Sequence, residues 1–174
     1  MDNNRESNEN KKLRAAAERG DAEAQFQLAR LFESDPESIS PITIAESIQL
    51  YHKAAAQGHI EAQYELGCYY AHSKFMQPEM NEAFGWFEQA ANKGHAKAQY
   101  ELGKCYAAGD GVERDQVIAL DWYRRAAKQR HEAAEYQIGC CYVNGQGVTK
   151  DLVNAQTWFR SAAKHGYVLA VCRA

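Results

Sequence analysis

The sequence has no basic stripe, no long apolar run and no paired-cysteine motif, and each absence removes a class of function. Its formal net charge is −3, with both signs interspersed. A nucleic-acid footprint needs lysine and arginine gathered on one face, so a nucleic-acid partner is not expected. No apolar run approaches the roughly 20 residues that cross a bilayer. The opening, MDNNRESNENKK, is polar and carries no apolar signal core. Neither a membrane span nor a secretory leader is expected. The cysteines, Cys68, Cys105, Cys140, Cys141 and Cys172, are odd in number, and no C-x-x-C occurs. Zinc needs ligands at set spacings, and no such set is found, so no metal or other cofactor is expected. The thiols read as reduced and mostly packed, which points to a cytoplasmic protein.

What the chain does have is repetition. Ala96–Tyr106, AKAQYELGKCY, returns with small changes as AEAQFQLARLF at Ala22–Phe32, IEAQYELGCYY at Ile60–Tyr70 and EAAEYQIGCCY at Glu132–Tyr142. The inner alanines, Ala24, Ala62, Ala98, Ala134 and Ala170, stand at intervals of 38, 36, 36 and 36 residues. A fixed period in this range marks a stacked repeat array.

Each repeat reads as two helices. The second helices follow as Glu46–Gly58, Glu82–Gly94, Ile118–Arg130 and Asn154–Gly166. At about 100° per residue, Ala98, Leu102, Gly103 and Tyr106 share one face of a first helix. Ala119, Trp122, Tyr123 and Ala126 share one face of its partner. Glycine inside a helix costs about 1 kcal/mol relative to alanine. Its return at Gly67, Gly103 and Gly139 therefore implies a packing need, and Ala29 in the first repeat predicts a slightly wider contact. The loops Gly109-Asp110-Gly111 and Gly145-Gln146-Gly147 break the first helices, and Asp115 and Asp151 stand where they can cap the second. Gly20, Gly58, Gly94 and Gly166 mark left-handed helix ends. Arg130 in that place predicts mild strain or a different turn. The loops Ser34–Pro41 and His72–Pro78 depart from the pattern and are the expected divergent surface.

The boundaries expected are a disordered tail over 1–7 and a single repeat domain over 8–174. Within it lie a cap at 8–20, repeats at about 21–57, 58–93, 94–129 and 130–165, and a truncated helix at 166–174. Val168, Leu169 and Val171 have no covering helix in the pattern. That end either packs back as a rough cap or serves self-association.

Phe26, Tyr64, Tyr100 and Tyr136 each follow a marker alanine by two and point about 135° away from the packed face. They either form an aromatic ladder along a groove or pack between repeats. Arg30 and Lys104, four residues further on, would add cations suited to an acidic peptide or a C-terminal carboxylate, or stand as solvated charge. His59, His95 and His131 recur every 36 residues and read as turn residues bonding terminal carbonyls. Copies roughly 10 Å apart cannot share a metal whose bonds are near 2 Å. No nucleophile with a base, acid pair or phosphate loop is found. The two G-x-G loops follow helices, not strands, and lack a third glycine. Nothing near Cys105 or Cys140 in sequence would depress a thiol pKa.

The 36-residue period, A-x-x-x-L-G-x-x-Y, the G-x-G-V loop followed by Asp, and A-x-x-W-Y/F-x-x-A-A strongly resemble the Sel-one-like repeats, cousins of the tetratricopeptide repeat. The resemblance covers Ala22–Gly166 with half-repeats at both ends. It implies an all-α fold, a right-handed α-solenoid of about four helix-turn-helix repeats with first helices along the concave side. It also implies a non-enzymatic adaptor that binds a protein or peptide segment in that groove. Phe26, Arg30, Tyr64, Tyr100, Lys104 and Tyr136 are then the partner-binding residues. The alternatives are a self-associating structural protein and, by analogy with a cysteine-rich secreted branch linked to β-lactams, a hydrolase. That branch carries a disulfide in each repeat and a cysteine near the end of each second helix. Here those ends read Ala90-Ala91, Ala126-Ala127 and Ala162-Ala163, which sets the branch aside.

Overall fold

The computed structural model of the chain describes residues 8–34, 40–72 and 78–168. Among them there are nine helices and no strand. Two compact units divide the chain, residues 1–77 and 78–174. The first holds α1 (Asn8–Glu18), α2 (Ala22–Ser34), α3 (Pro41–Ala56) and α4 (Ile60–His72). The second holds α5 (Met80–Asn92), α6 (Ala96–Ala108), α7 (Gln116–Lys128), α8 (Glu132–Asn144) and α9 (Leu152–Lys164). The loop segments 35–39 and 73–77, the tail 1–7, and Leu169, Val171 and Cys172 lie outside the described residues. Val168 is described and is 78% exposed.

In the first unit α1 packs on α2, α2 pairs with α3, and α3 packs on α4. Ala17, Ala24 and Leu28 form a buried cluster under Leu13, Phe32 and Leu50. In the second unit α6 pairs with α7 and α8 with α9, while α7 packs on α8. Tyr123, Ala126, Ala134 and Ile138 join there in one core.

The helical glycines meet the packing need that their recurrence implies. A Cβ on Gly103 would stand 2.6 Å from two ring carbons of Tyr123, and one on Gly139 would stand 2.5 Å from the ring of Phe159. The bare backbone lets an aromatic ring from the second helix lie flush on the first. Asp115 accepts from the N–H groups of Val117 and Ile118, and Asp151 from those of Val153 and Asn154, so both cap their helices as the pattern indicates. Arg130 keeps the ordinary turn in a left-handed conformation, φ 61°. Its N–H bonds Ala127 O as the N–H of Gly94 bonds Ala91 O. Of the two outcomes expected at Arg130, strain is the one found.

The recurring histidines are structural, as read: the N–H groups of His59, His95 and His131 bond the carbonyls of Ala54, Ala90 and Ala126 at 3.1 to 3.3 Å, and their rings add a second bond. Nδ1 of His59, His95 and His131 accepts the N–H of Ala62, Ala98 and Ala134 at 3.2, 3.1 and 3.3 Å. Each histidine caps the start of the next first helix. Asp21 does the same in the first repeat, through Ala24 N–H at 2.7 Å. The carbonyls at the preceding helix ends are already taken by backbone: Gly58 N–H bonds Ala55 O and His59 N–H bonds Ala54 O.

A second recurring polar contact staples each first helix to the helix before it. Nε2 of buried Gln25, Gln63 and Gln99 donates to Ala17, Ala55 and Ala91 carbonyls at 3.1 to 3.2 Å. Oε1 of Gln25 and of Gln99 accepts from Gln57 and Gln129, both at 2.9 Å. In the fourth repeat Glu135 takes this place. It accepts from Ser161 Oγ at 3.0 Å and pairs with His165 Nδ1 at 2.8 Å.

Candidate functional site

The first helices carry the sequence-predicted site residues, and packing sets how much of each is offered. In the first unit Phe26 is only 6% exposed. Its ring stacks on His59 at 4.5 Å and tilts against Tyr51 at 5.9 Å. Arg30, one turn on, is exposed and lies over the Phe26 ring at 5.9 Å. Tyr64 is half-buried on α4. In the first repeat the cation therefore offers more surface than the ring beneath it.

In the second unit Tyr100 and Tyr136 are half-buried. Tyr100 stacks on His131 at 4.9 Å and tilts against Tyr123 at 5.8 Å. Tyr136 lies between Phe159 at 5.3 Å and Tyr167 at 4.9 Å. Each of these ladder rings is thus wedged between the aromatic of its own second helix and the residue at the next cap position. Burial pushes the Tyr100 hydroxyl above its ordinary value, so it remains a neutral hydrogen-bonding tip on an apolar ring. Lys104 bonds Glu101 Oε2 at 2.7 Å and lies 5.6 Å over the Tyr100 ring. Burial works against its ammonium, but the Glu101 carboxylate outweighs this and holds the amine above its ordinary value. The charge at Lys104 is partnered by Glu101, while exposed Arg30 acts on the Glu33 carboxylate through its charge.

Two clefts in the first unit lie on these helices. One, of about 540 Å³, is lined by Leu13, Gln27, Arg30 and Leu31 among others. It gives Arg30 an apolar floor. The other, of about 220 Å³, gathers Glu33, Tyr51, Glu65, Cys68, Tyr69 and His72. Sequence reasoning did not find either cleft. Each joins residues of different helices that share no motif.

The chemistry elsewhere is quiet. Cys68, Cys105, Cys140 and Cys141 are free thiols. Burial pushes Cys105 and Cys141 up to about 11, which removes the thiolate a nucleophile needs. Among the described residues no group of three histidine, cysteine or acidic side chains could hold a metal ion. None of the described helices is long and apolar enough to cross a membrane.

Comparison with known proteins follows the same 36-residue rhythm. Residues 22–59, 60–95, 96–131 and 132–167 each match the family model described as Sel1 repeat. Among solved structures, the chain is similar to c5321, a protective antigen of uropathogenic Escherichia coli strains displaying an SLR fold. Identity is 33% and the TM-score 0.84, over 92% of this chain and 34% of that one. It is also similar to a Sel1 repeat protein from Oxalobacter formigenes, at 31% identity and TM-score 0.81, over 91% of this chain and 62% of that one. The immunity protein Pa5087 from Pseudomonas aeruginosa shares the fold alone, at 21% identity and TM-score 0.55, over 91% of this chain and 58% of that one. The chain spans about a third of the first of these proteins and under two thirds of the second. No curated protein matches it. With nine described helices and four matched repeats, the fold class is the all-α solenoid of about four repeats.

Proposed function

The chain belongs to the Sel1 repeat family, whose members are often protein-interaction modules, and from that premise we propose that it is a non-enzymatic adaptor. It binds a protein or peptide segment in the concave groove expected along its first helices. Arg30 and the edges of Tyr64, Tyr100 and Tyr136 make the contacts, with Phe26 supporting Arg30 and Lys104 flanking Tyr100. The observation that carries this reading is that each first helix after α2 carries one half-buried tyrosine at the same place in its repeat. Such side chains combine a large apolar face with a polar tip, the composition favoured at interface centres.

The packing of the rings dictates the test. Tyrosine to alanine at these positions would empty a wedge between helices and confuse folding with binding. Tyr64→Phe, Tyr100→Phe and Tyr136→Phe together keep the wedge and remove the tips. Affinity capture from source lysate, wild type beside the triple variant, should show one or more proteins retained only by wild type, with helical circular dichroism unchanged. Equal retention by both proteins rejects the three tyrosines as the contact.

A second reading rests on Val168, a large apolar residue left 78% exposed. The segment it opens, with Leu169 and Val171, would then serve self-association. Sedimentation at rising concentration decides this, and a concentration-independent monomer rules it out.

A further inference from the structure

The cap at His131 touches both the fold and the candidate site. Nδ1 accepts the Ala134 N–H. A backbone amide can only donate, so Nδ1 carries no proton and the ring is the neutral tautomer with its proton on Nε2. A second proton would have to enter at Nδ1. It would set N–H against N–H and leave the Ala134 amide only its other acceptor, His131 O at 3.0 Å, so the cap of α8 loosens. The same imidazole stacks on Tyr100, with an interplanar angle of 22°. The Tyr100 ring also carries the Lys104 ammonium at 5.6 Å. A charged imidazole would therefore place a second cation on a ring that already holds one.

We propose that His131 is an acid-sensitive latch: its protonation releases the start of α8, shifts Tyr100, and so weakens partner binding at Tyr100. The last step rests on the adaptor reading above. The charged groups around His131 are Glu132 on its own helix, Glu101 and Lys97 on α6, and Arg130, which precedes it after α7. None of them is hydrogen-bonded to the ring. Burial, the largest influence, holds the imidazole below its ordinary value. With a depressed folded value, the cap's contribution is complete above the ordinary histidine value and is lost as pH falls through the lower, folded one.

Two homologous positions act as internal controls. His59 holds the same cap, but its Nε2 pairs with Glu23 at 3.0 Å, and Glu61 lies 3.9 Å from Nδ1. Carboxylates on both sides can take up the charge. Asp21 caps α2 with a carboxylate oxygen in place of an imidazole nitrogen.

The experiment is a nuclear magnetic resonance titration of the full chain from about pH 7.5 to 5, on wild type, His131→Asp and His59→Asp. The aspartate is the residue that already serves at Asp21, so helix capping survives in both variants. In wild type, exchange of the first-turn amides of α8, corrected for intrinsic rates, should rise by about fivefold as His131 titrates, the equivalent of one lost cap. The Tyr100 ring signals should move with it. His131→Asp should abolish both responses, and His59→Asp should leave them as in wild type. Unchanged α8 amides through the His131 titration, or an equal response in His131→Asp, overturns the latch. With a partner in hand, capture lost in the triple Tyr→Phe variant but indifferent to pH also overturns it. Capture indifferent to the triple variant, with α8 still responding to acid, overturns the groove reading and leaves the latch standing at α8 and Tyr100.

Discussion

The first repeat and the third close the same helix pair by different means. In the third, Gly103 leaves the space into which the Tyr123 ring settles, and the fit is one of shape. In the first, Ala29 stands at the glycine position, and Ser47 replaces the alanine opposite. Ser47 is fully buried and its hydroxyl donates to Ala29 O at 3.2 Å and to Thr43 O at 3.0 Å. Tyr51, the counterpart of Tyr123, donates its hydroxyl to Glu33 Oε2 at 2.9 Å. Hydrogen bonds hold the contact that glycine holds elsewhere. One repeat pattern thus tolerates two kinds of closure. The polar kind places a carboxylate and a cleft at the end of α2, where the third repeat has Ala107.

The comparison can be broken by exchanging the small residues. Gly103→Ala sets a methyl into the Tyr123 ring and should cost about 2–3 kcal/mol, the range of overpacking in a tight core. Gly139→Ala, against Phe159, should match it. Ala29→Gly should cost only about 1 kcal/mol, the helix propensity difference. Urea unfolding of the three variants measures this. An Ala29→Gly loss as large as that of Gly103→Ala would show that the first repeat is also closed by shape.

A smaller effect sharpens the same contrast at the aromatic. Tyr51→Phe should lose about 1 kcal/mol with its bond to Glu33, whereas Tyr123→Phe should stay within about 0.5 kcal/mol. Equal losses would mean that the Glu33 bond adds nothing. The only gain is expected where the second helices end. Arg130→Gly relieves a left-handed arginine and should raise stability by about 0.5–1 kcal/mol. Gly94→Ala, at φ 93° in open space, should lower it by about as much. Thermal melts of the pair settle the sign.

Much of the fold was legible because it repeats. The period located every pair of helices, the Asp115 and Asp151 caps, and the glycines needed for close approach, since each is a local rule restated in each copy. The structural role of the histidines was legible, but the partner of the ring was not. The turn position of His95 is plain in sequence, but whether its ring meets carbonyls or amides depends on which helix claims it, and the Schellman-type backbone bonds decide that. For the ladder, helix geometry predicts only an angle of about 135° from the packed face. It could not show that the His131 ring occupies that direction beside Tyr100, because the two residues meet only once repeats stack. The Glu33–Tyr51 contact broke the pattern and so had no copy to be read from.

The glutamine staples bear on how such a chain can be rearranged. A first helix with glutamine at this place donates back to a carbonyl of the preceding helix that also takes a backbone N–H, so the first three repeats carry the same joint. The Glu135 carboxylate accepts from Ser161 and pairs with His165 of its own hairpin, and a carboxylate has no N–H to give to a predecessor. The fourth repeat is therefore keyed to its own second helix. The backward joint between repeats thus turns on a single side-chain atom, nitrogen in three copies and oxygen in the fourth.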